Sequence, residues 1–556
     1  MLRNNFAQAS QRLQRAILRF PALWLLLICL IVYGRGLGGD FVIDDWPVVK
    51  ENSHITDTRY LSNYFTRDVW SNTEANLTNN FGGYSLYRPL FLTTLNLGYQ
   101  LWGYSSLAFH TLNLILHAIN TLLVFYLILG LLPDRARTAA FFGAALFGVH
   151  PVHVESVAWI SGITDPLASL FMLSGFLLYR RYVRTENFVF SGLALVCFSA
   201  GLLSKEVAVF FPLLLVSNDW LEGKFALKRY LPYLGVLAIY FLARSAALEH
   251  ALDLAEYDIA KIPLLIDFFF RYIQTLIIPW PLDFNFLTPP PTNYLATATG
   301  AAAAISGLAL LPWALRDRQT CIPISYAWFV IPLLPALPVA LMHNGIFAIR
   351  ALYLPCVGLA LFSAWAYQFF AGKKLIVAAL WAVIPIFATT SMLEIEDWKD
   401  DESVFSAVLA RDPNLWWAYS GLAEFMERKG QNEKAVSLYI RASELTKNEG
   451  DLVASLGNIG RVFGQNGDVE NSEKYYRKIL DFAPNYAGAW IGLGNNALTK
   501  QDNQQALKFY QKALQADPQS YIASYNLALT YRRLGDIEKA QYFESIARQL
   551  QQQPSQ

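Results

Sequence analysis

Charged residues are scarce in this chain. Asp, Glu, Lys and Arg make up 16% of its 556 residues, against roughly 25% in an average soluble domain. The formal net charge is +1, so bulk electrostatics give no support for binding nucleic acid. Apolar segments of about 20 residues are abundant instead, and that length crosses a bilayer as a helix. The composition therefore predicts an integral membrane protein and excludes a single soluble core.

Cysteine is also rare, and no cysteine pattern is present. The four cysteines are widely separated and lie in or beside apolar segments, which fits neither a disulfide framework nor a zinc site. The N-terminus is basic and then apolar, without a small-residue cleavage site. This order predicts an uncleaved first span rather than a signal peptide.

The apolar character stops near Ser391, and a polar, repetitive sequence follows. Pro484 and Pro518 are 34 residues apart, as are Leu493 and Leu527. A period of this length with Trp, Leu, Gly, Ala and Pro landmarks is the tetratricopeptide signature. The sequence predicts about four repeats, after a half-repeat, and the residues "KNEGD" offset the second one. Their predicted starts are Trp416, Val453, Ala487 and Tyr521.

Basic residues orient the predicted spans. They recur in alternate loops and at the N-terminus, all on one side, which the positive-inside rule identifies as cytoplasmic. The apolar segment 263–280 must begin and end outside, so we expect an interfacial or re-entrant helix there. About eleven spans that start inside end outside. The predicted spans lie near 17–34, 106–131, 138–153, 164–180, 188–203, 205–218, 229–244, 300–315, 323–342, 350–371 and 374–392.

This topology predicts an all-α chain of two domains. The first, 1–392, is a multispanning domain with a long first outer loop at 35–105. The second, 393–556, is a tetratricopeptide α-solenoid on the extracytoplasmic side. We expect the lipid bilayer and an acceptor protein or peptide, held by the repeats, as partners, and no nucleic acid.

Ionisable residues collect on the predicted outer face. Such residues at membrane depth are costly and usually functional. Acids, imidazoles and cations together suit a site that binds an anionic lipid headgroup and transfers a proton. The candidates are Asp44, Asp45, Arg88, His150, His153, Glu155, Asp165, Lys205, Glu206, Arg350 and Tyr353, with Arg244 and Arg271 as alternative cations.

Each of these signals also has a simpler interpretation. The pair Asp44 and Asp45 can be a solvated loop, and Lys205 beside Glu206 an interfacial ion pair. The run "HPVHVE" resembles a metal-ligand pattern, but Pro151 interrupts it and a further ligand is missing. Packing or substrate hydrogen bonding by these histidines is therefore favoured over a metal site, and no metal or other cofactor is firmly predicted.

Six separated motifs precede the repeats: "FVIDDWPVVKEN", "YSLYRPLFLTTLNLGYQLWG", "FHTLNLILHAINTLLVF", "ALFGVHPVHVESVAWISGITDPLASLF", "LLSKEVAVFFPLLLV" and "IRALYLPCVGLAL". In this order, and followed by the repeats, they resemble the transmembrane-and-tetratricopeptide O-mannosyltransferases over essentially the whole chain. That family is similar to the wider GT-C glycosyltransferases, which take a sugar from a polyprenyl-phosphate carrier and use an acid in the first outer loop. The resemblance implies Asp44 as the catalytic acid and Asp45 as its partner.

The resemblance implies transfer of mannose or another hexose to Ser or Thr hydroxyls of extracytoplasmic proteins. The short repeat region suggests a bacterial or archaeal cytoplasmic membrane. A carboxylate can take the hydroxyl proton, while Arg and Lys stabilise the leaving lipid phosphate. One displacement inverts the anomeric centre, so one Asp can be the base while the other orients it. The sequence contains no Gly-rich phosphate-binding loop, so a nucleotide-sugar donor is not indicated. The alternatives are a non-catalytic membrane scaffold that recruits envelope proteins, and a lipid-linked glycan ligase or transporter.

Overall fold

The structure, a computed structural model, describes residues 19–71, 86–132, 136–248, 262–280, 282, 321–338 and 347–552. All regular elements in these ranges are helical, so the predicted all-α class is confirmed for them. The chain divides into two compact units, Met1–Ser403 and Val404–Gln556.

Apolar helices build the first unit. Among the described residues, four are long and apolar enough to cross a membrane: Pro21–Gly38, Ser106–Leu131, Ser161–Thr185 and Lys374–Trp398. Shorter apolar helices accompany them at Arg137–Val149, Phe188–Ser204, Leu231–Ala247, Ile322–Ala336 and Cys356–Phe369. Further helices cover Phe211–Leu221 and Ile262–Ile277, the latter within the predicted interfacial segment. The predicted span 300–315 lies outside the described residues, and the predicted total of about eleven spans stays a prediction.

Small residues let these helices approach closely. A Cβ atom added to Gly143 would lie 2.5 Å from the carbonyl oxygen of Ala360, and one at Gly358 would lie 2.5 Å from that of Ser325. Helix Arg137–Val149 therefore packs tightly on Cys356–Phe369, which packs on Ile322–Leu333. Close backbone approach at small residues is the usual way in which helices associate in a bilayer.

The described part of the predicted first outer loop is folded. Short 3-10 turns and one π-helical turn, Trp46–Lys50, follow one another between Gly34 and Phe65, and helix Pro89–Trp102 lies further along the chain. Because Tyr64, Phe91 and Phe109 share one apolar cluster, this segment packs on the start of helix Ser106–Leu131. The loop is therefore anchored to the helices, which gives its polar residues fixed positions.

Paired helices form the second unit, and the predicted repeats are present. The second repeat begins at Glu449 instead of Val453, because the Asn448 side chain accepts the Gly450 amide (2.7 Å) and caps an earlier first turn. Of the "KNEGD" residues, Glu449, Gly450 and Asp451 thus lengthen the helix, while Lys447 and Asn448 stay in the loop before it. Helix Asp401–Arg411 begins at the end of the first unit and continues into the second. The helices that follow it are Trp416–Arg428, Asn432–Leu445, Glu449–Gln465, Val469–Phe482, Ala487–Thr499, Asn503–Ala516, Tyr521–Arg533 and Ile537–Gln552.

The interlock of aromatic and glycine residues between repeats can be tested. A Cβ at Gly492 would lie 2.2 Å from Cζ of Tyr476, whereas at Gly457 the nearest such atom is Ile479 Cδ1 at 4.0 Å. Gly492→Ala should overpack the unit and lower its stability by about 1–3 kcal/mol. The control Gly457→Ala should be neutral or stabilising by up to about 1 kcal/mol. Amide hydrogen exchange of the full chain in detergent measures both, and equal exchange in the two variants would refute the interlock.

Candidate active site

A strained turn presents the two adjacent acids of the predicted first outer loop. Ile43 has φ +50°, in the left-handed region, where a β-branched residue is an outlier. Such a conformation costs on the order of 1–3 kcal/mol and persists only where its surroundings enforce it. The Trp159 indole Nε1 donates to the Val42 carbonyl at 3.2 Å, and the Asp45 amide donates to the same carbonyl at 3.0 Å. These bonds hold the backbone on both sides of Ile43.

Asp45 is fully buried, and both of its carboxylate oxygens are engaged. Oδ1 accepts from the amide (2.8 Å) and the hydroxyl (2.5 Å) of Ser161, while Oδ2 accepts from the Val42 amide (3.0 Å). Burial raises the pKa of Asp45 to about 7, against the Ser161 hydrogen bonds that lower it. Asp45 therefore ties the turn to the segment after Trp159 and has no oxygen turned to solvent.

Asp44 differs from Asp45 in its burial and in its hydrogen bonding. Its side chain is only partly buried, and among the described residues no donor hydrogen-bonds its carboxylate. Burial raises the pKa of Asp44 to about 6, although the charges of Arg350 and Arg88 oppose the rise. Asp44 is thus a carboxylate open to an incoming molecule, and two cations lie close enough to act on it.

Three ion pairs join distant segments in the same region. The Arg350 side chain and its backbone amide both donate to Glu155, the amide at 3.0 Å. The acids lie where helices begin, since Glu155, Asp165 and Glu206 occupy the first turns of their elements, and helix N-termini favour negative charge. The other pairs are Lys205 Nζ with Asp165 Oδ1 at 2.6 Å, and Arg88 with Glu206 at 2.8–3.1 Å in a forked arrangement.

The three cations are close enough to influence one another. Burial lowers the pKa of Lys205, Asp165 opposes this, and the charges of Arg88 and Arg350 lower the pKa further. Burial alone would lower the pKa of Arg350, but Glu155 and Asp165 outweigh it and raise the pKa. The Arg350 guanidinium also lies over the Trp159 ring, 5.0 Å from its centroid. The structure therefore brings both aspartates and all three predicted ion-pairing cations into one charged region.

The predicted histidines and Tyr353 lie in a buried layer of their own. His150 Nε2 contacts the Leu276 carbonyl at 2.9 Å, and the Tyr353 hydroxyl contacts His117 Nδ1 at 2.9 Å. His153 packs on Tyr353 with ring centroids 4.5 Å apart. The direct contact of these residues with a ligand stays a prediction.

Other predicted features fall outside this arrangement. Arg271 pairs with Asp267 one turn away (2.7 Å), and Arg244 acts on the pKa of Asp68, which burial raises. Within the described ranges, no group of three or more His, Cys, Asp and Glu side chains is placed to hold a metal ion. Sequence reasoning missed Ser161 and Trp159, although both stand in a motif that it singled out.

The Arg350–Glu155 ion pair should contribute to the stability of the folded chain, in addition to holding its two segments in position. Glu155 is 1% exposed, so removing its cation leaves a buried charge without compensation, at a cost of about 3–5 kcal/mol. Arg350→Gln should therefore lower the thermal midpoint of the chain in detergent. The double variant Arg350→Gln with Glu155→Gln should recover most of the loss, because no charge is then buried alone. A double variant no more stable than Arg350→Gln would contradict the assignment of this pair.

Comparison with known proteins identifies both units. Models of the tetratricopeptide repeat match residues 416–485, and also 458–521 and 491–554. Protein O-mannosyl-transferase TMTC3 of Mus musculus is 22% identical across 90% of this chain and 64% of the relative. The TMTC3 of Homo sapiens is also 22% identical, across 89% and 61%. Human TMTC1 is 38% identical over a shorter stretch, 27% of this chain and 17% of the relative.

Among solved structures, the crystal structure of MamA is similar to part of the chain, with 17% identity, 26% of this chain and 84% of that chain covered, and a TM-score of 0.23. The chain spans less than two thirds of the length of the TMTC3 relatives. The matches over most of its own length confirm the resemblance seen in the motifs. The chain is therefore a homologue of the protein O-mannosyltransferases that combine transmembrane helices with tetratricopeptide repeats.

Proposed function

We propose that this protein is a membrane glycosyltransferase that transfers a hexose from a polyprenyl-phosphate carrier to Ser or Thr hydroxyls of extracytoplasmic proteins. The names of its homologues support protein O-mannosylation as the reaction type. One observation carries the assignment to this site: Asp44 keeps an open carboxylate among acids that all have partners. A structural acid would be satisfied in the same way as its neighbours.

Asp44 acts as the general base in this proposal. The acceptor hydroxyl oxygen bonds to C1 of the sugar as the bond from C1 to the phosphate oxygen breaks, and the hydroxyl proton passes to Asp44. A base works best with a pKa near the operating pH. The pKa of about 6, raised by burial against Arg350 and Arg88, keeps Asp44 mostly ionised at neutral pH and more basic than an exposed aspartate.

Asp45 orients the turn instead of taking the proton. Its oxygens already accept from Ser161 and Val42, so a second acceptor role would break those bonds. A single displacement with inversion needs no second nucleophilic carboxylate. The division of roles between two adjacent acids thus follows from their different hydrogen bonding.

The leaving lipid phosphate is bound by the cations beside Asp44. Arg350 and Arg88 present planar guanidinium groups that can meet two phosphate oxygens at once, and Lys205 adds a compact charge. Each cation is already paired with an acid, Glu155, Asp165 or Glu206, so the three like charges do not repel one another strongly before a phosphate binds. The tetratricopeptide repeats supply the surface for the acceptor protein.

Substitution of the base should separate the two aspartates. Asp44→Asn should lower transfer roughly 10²–10⁴-fold, the usual effect of losing a general base, and Asp45→Asn should lower it by a comparable or smaller factor. In the wild type, kcat/KM should fall as the pH drops through about 6, because Asp44 becomes protonated. Purified chain, polyprenyl-phosphate mannose and Ser/Thr peptides, with mass spectrometry of the product, measure both.

Asp57→Asn is the matched control, since Asp57 lies in the same loop and, within the described ranges, its carboxylate accepts hydrogen bonds from Arg59 alone. It should transfer at the wild-type rate. Near-normal turnover by Asp44→Asn, or no transfer by the wild type from any polyprenyl-phosphate hexose, would rule out this function for the site.

The side of the membrane on which the repeats lie gives a separate test. A reporter active only in the cytoplasm should stay silent after Gln556 and be active after Lys374, because about eleven spans that begin inside end outside. Activity in the reverse pattern would place the repeats in the cytoplasm, away from a lipid-linked donor on the outer face.

A further inference from the structure

A distant acid holds the turn that presents Asp44. The carboxylate of Asp401 is 1% exposed, and its two oxygens accept different donors from the first outer loop. Oδ1 accepts the Ile43 amide at 2.8 Å, and Oδ2 accepts the Trp46 indole Nε1 at 3.0 Å. These donors belong to the residues directly before and directly after the two aspartates.

A second set of contacts joins the same two segments. The Asp40 amide donates to the Lys399 carbonyl at 2.8 Å. The Trp398 ring stacks on Trp159 with centroids 5.9 Å apart, and Trp159 in turn donates to the Val42 carbonyl. Residues 398–401 therefore contact Asp40, Trp159 and the turn itself, and the contact with the turn comes from the Asp401 side chain.

The strained backbone explains why such an anchor is needed. Ile43 lies at φ +50°, a conformation that its β-branched side chain disfavours, so the turn relaxes unless its neighbours enforce it. A charged acceptor forms stronger hydrogen bonds than a neutral one. One carboxylate that accepts on both sides of Asp44 and Asp45 fixes the spacing across them.

We propose that Asp401 is a positioning residue for the transfer reaction: it keeps the Ile43–Trp46 turn strained so that the Asp44 carboxylate keeps its position in the charged region. This inference rests on the proposed function of Asp44. Asp401 does not touch the reacting atoms, so its removal should lower kcat through misplacement of the base. The donor KM should change little, because Arg350, Lys205 and Arg88 keep their own partners.

Amide hydrogen exchange of the full chain in detergent tests the anchor without an activity assay. Asp401→Ala should speed exchange of the Ile43 amide, because its acceptor is gone. The matched control is Asp400→Asn, the adjacent acid, whose carboxylate accepts from the amide (2.8 Å) and the hydroxyl (2.7 Å) of Ser403. It should leave exchange in 41–46 unchanged. Unchanged exchange in Asp401→Ala would overturn the proposal.

A pair of variants distinguishes positioning from a general loss of stability. Asn at 401 has one acceptor oxygen, so its NH₂ group must face either the Ile43 amide or the Trp46 indole N–H. Asp401→Asn should lower kcat on the order of 10²-fold, as small misplacements of catalytic groups do. Adding Trp46→Phe removes the indole donor, so Asp401→Asn should cost less kcat in that background than in the wild type.

Each outcome decides the matter. Faster exchange, a lower kcat at near-constant donor KM, and partial compensation by Trp46→Phe support the proposal. An unchanged kcat in Asp401→Asn, or equal losses with and without Trp46→Phe, overturns it. If the wild type transfers no sugar, the catalytic part fails with the proposed function, and amide exchange alone still decides whether Asp401 holds the turn.

Discussion

Charges buried beside apolar helices need partners, and this constraint organises the region around Asp44. Glu155, Asp165 and Glu206 each start a helical element and each meet a cation from another segment. Removing one member leaves a buried charge, which is strongly destabilising, so the pairs fix the segments relative to one another. Cations that would otherwise repel each other are thereby held together around one acid.

The placement of the two aspartates lowers the stability of the folded state. Burial raises the pKa of Asp44 to about 6 and that of Asp45 to about 7, above the ordinary value of 3.8. An acid with a raised pKa in the folded state opposes folding increasingly as the pH rises from about 4 toward 7. The positive φ of Ile43 also lowers the stability of the folded state. Local losses of stability of this kind are common at functional sites. The neighbouring contacts of Ser161, Trp159 and Asp401 compensate locally.

Periodic patterns made most of the fold predictable. The repeat landmarks place the helices of the second unit to within a few residues, and the start at Glu449 differs because Asn448 caps an earlier turn. The ion-pairing residues could be selected because ionisable groups are rare beside apolar segments. Which acid pairs with which cation could not be predicted, since partners such as Arg88 and Glu206 are far apart in sequence. Asp401 was missed because it lies in a polar segment, where an acid is not unusual. Tyr353 was selected as a candidate binding residue, and the structure buries it.

A structure of the chain with a non-hydrolysable polyprenyl-phosphate hexose bound tests the central claim most directly. The account predicts the phosphate oxygens within hydrogen-bond distance of at least two of Arg350, Arg88 and Lys205, with C1 of the sugar facing the Asp44 carboxylate across the space for an acceptor hydroxyl. A phosphate bound away from these cations, or a sugar whose C1 faces away from Asp44, would contradict it.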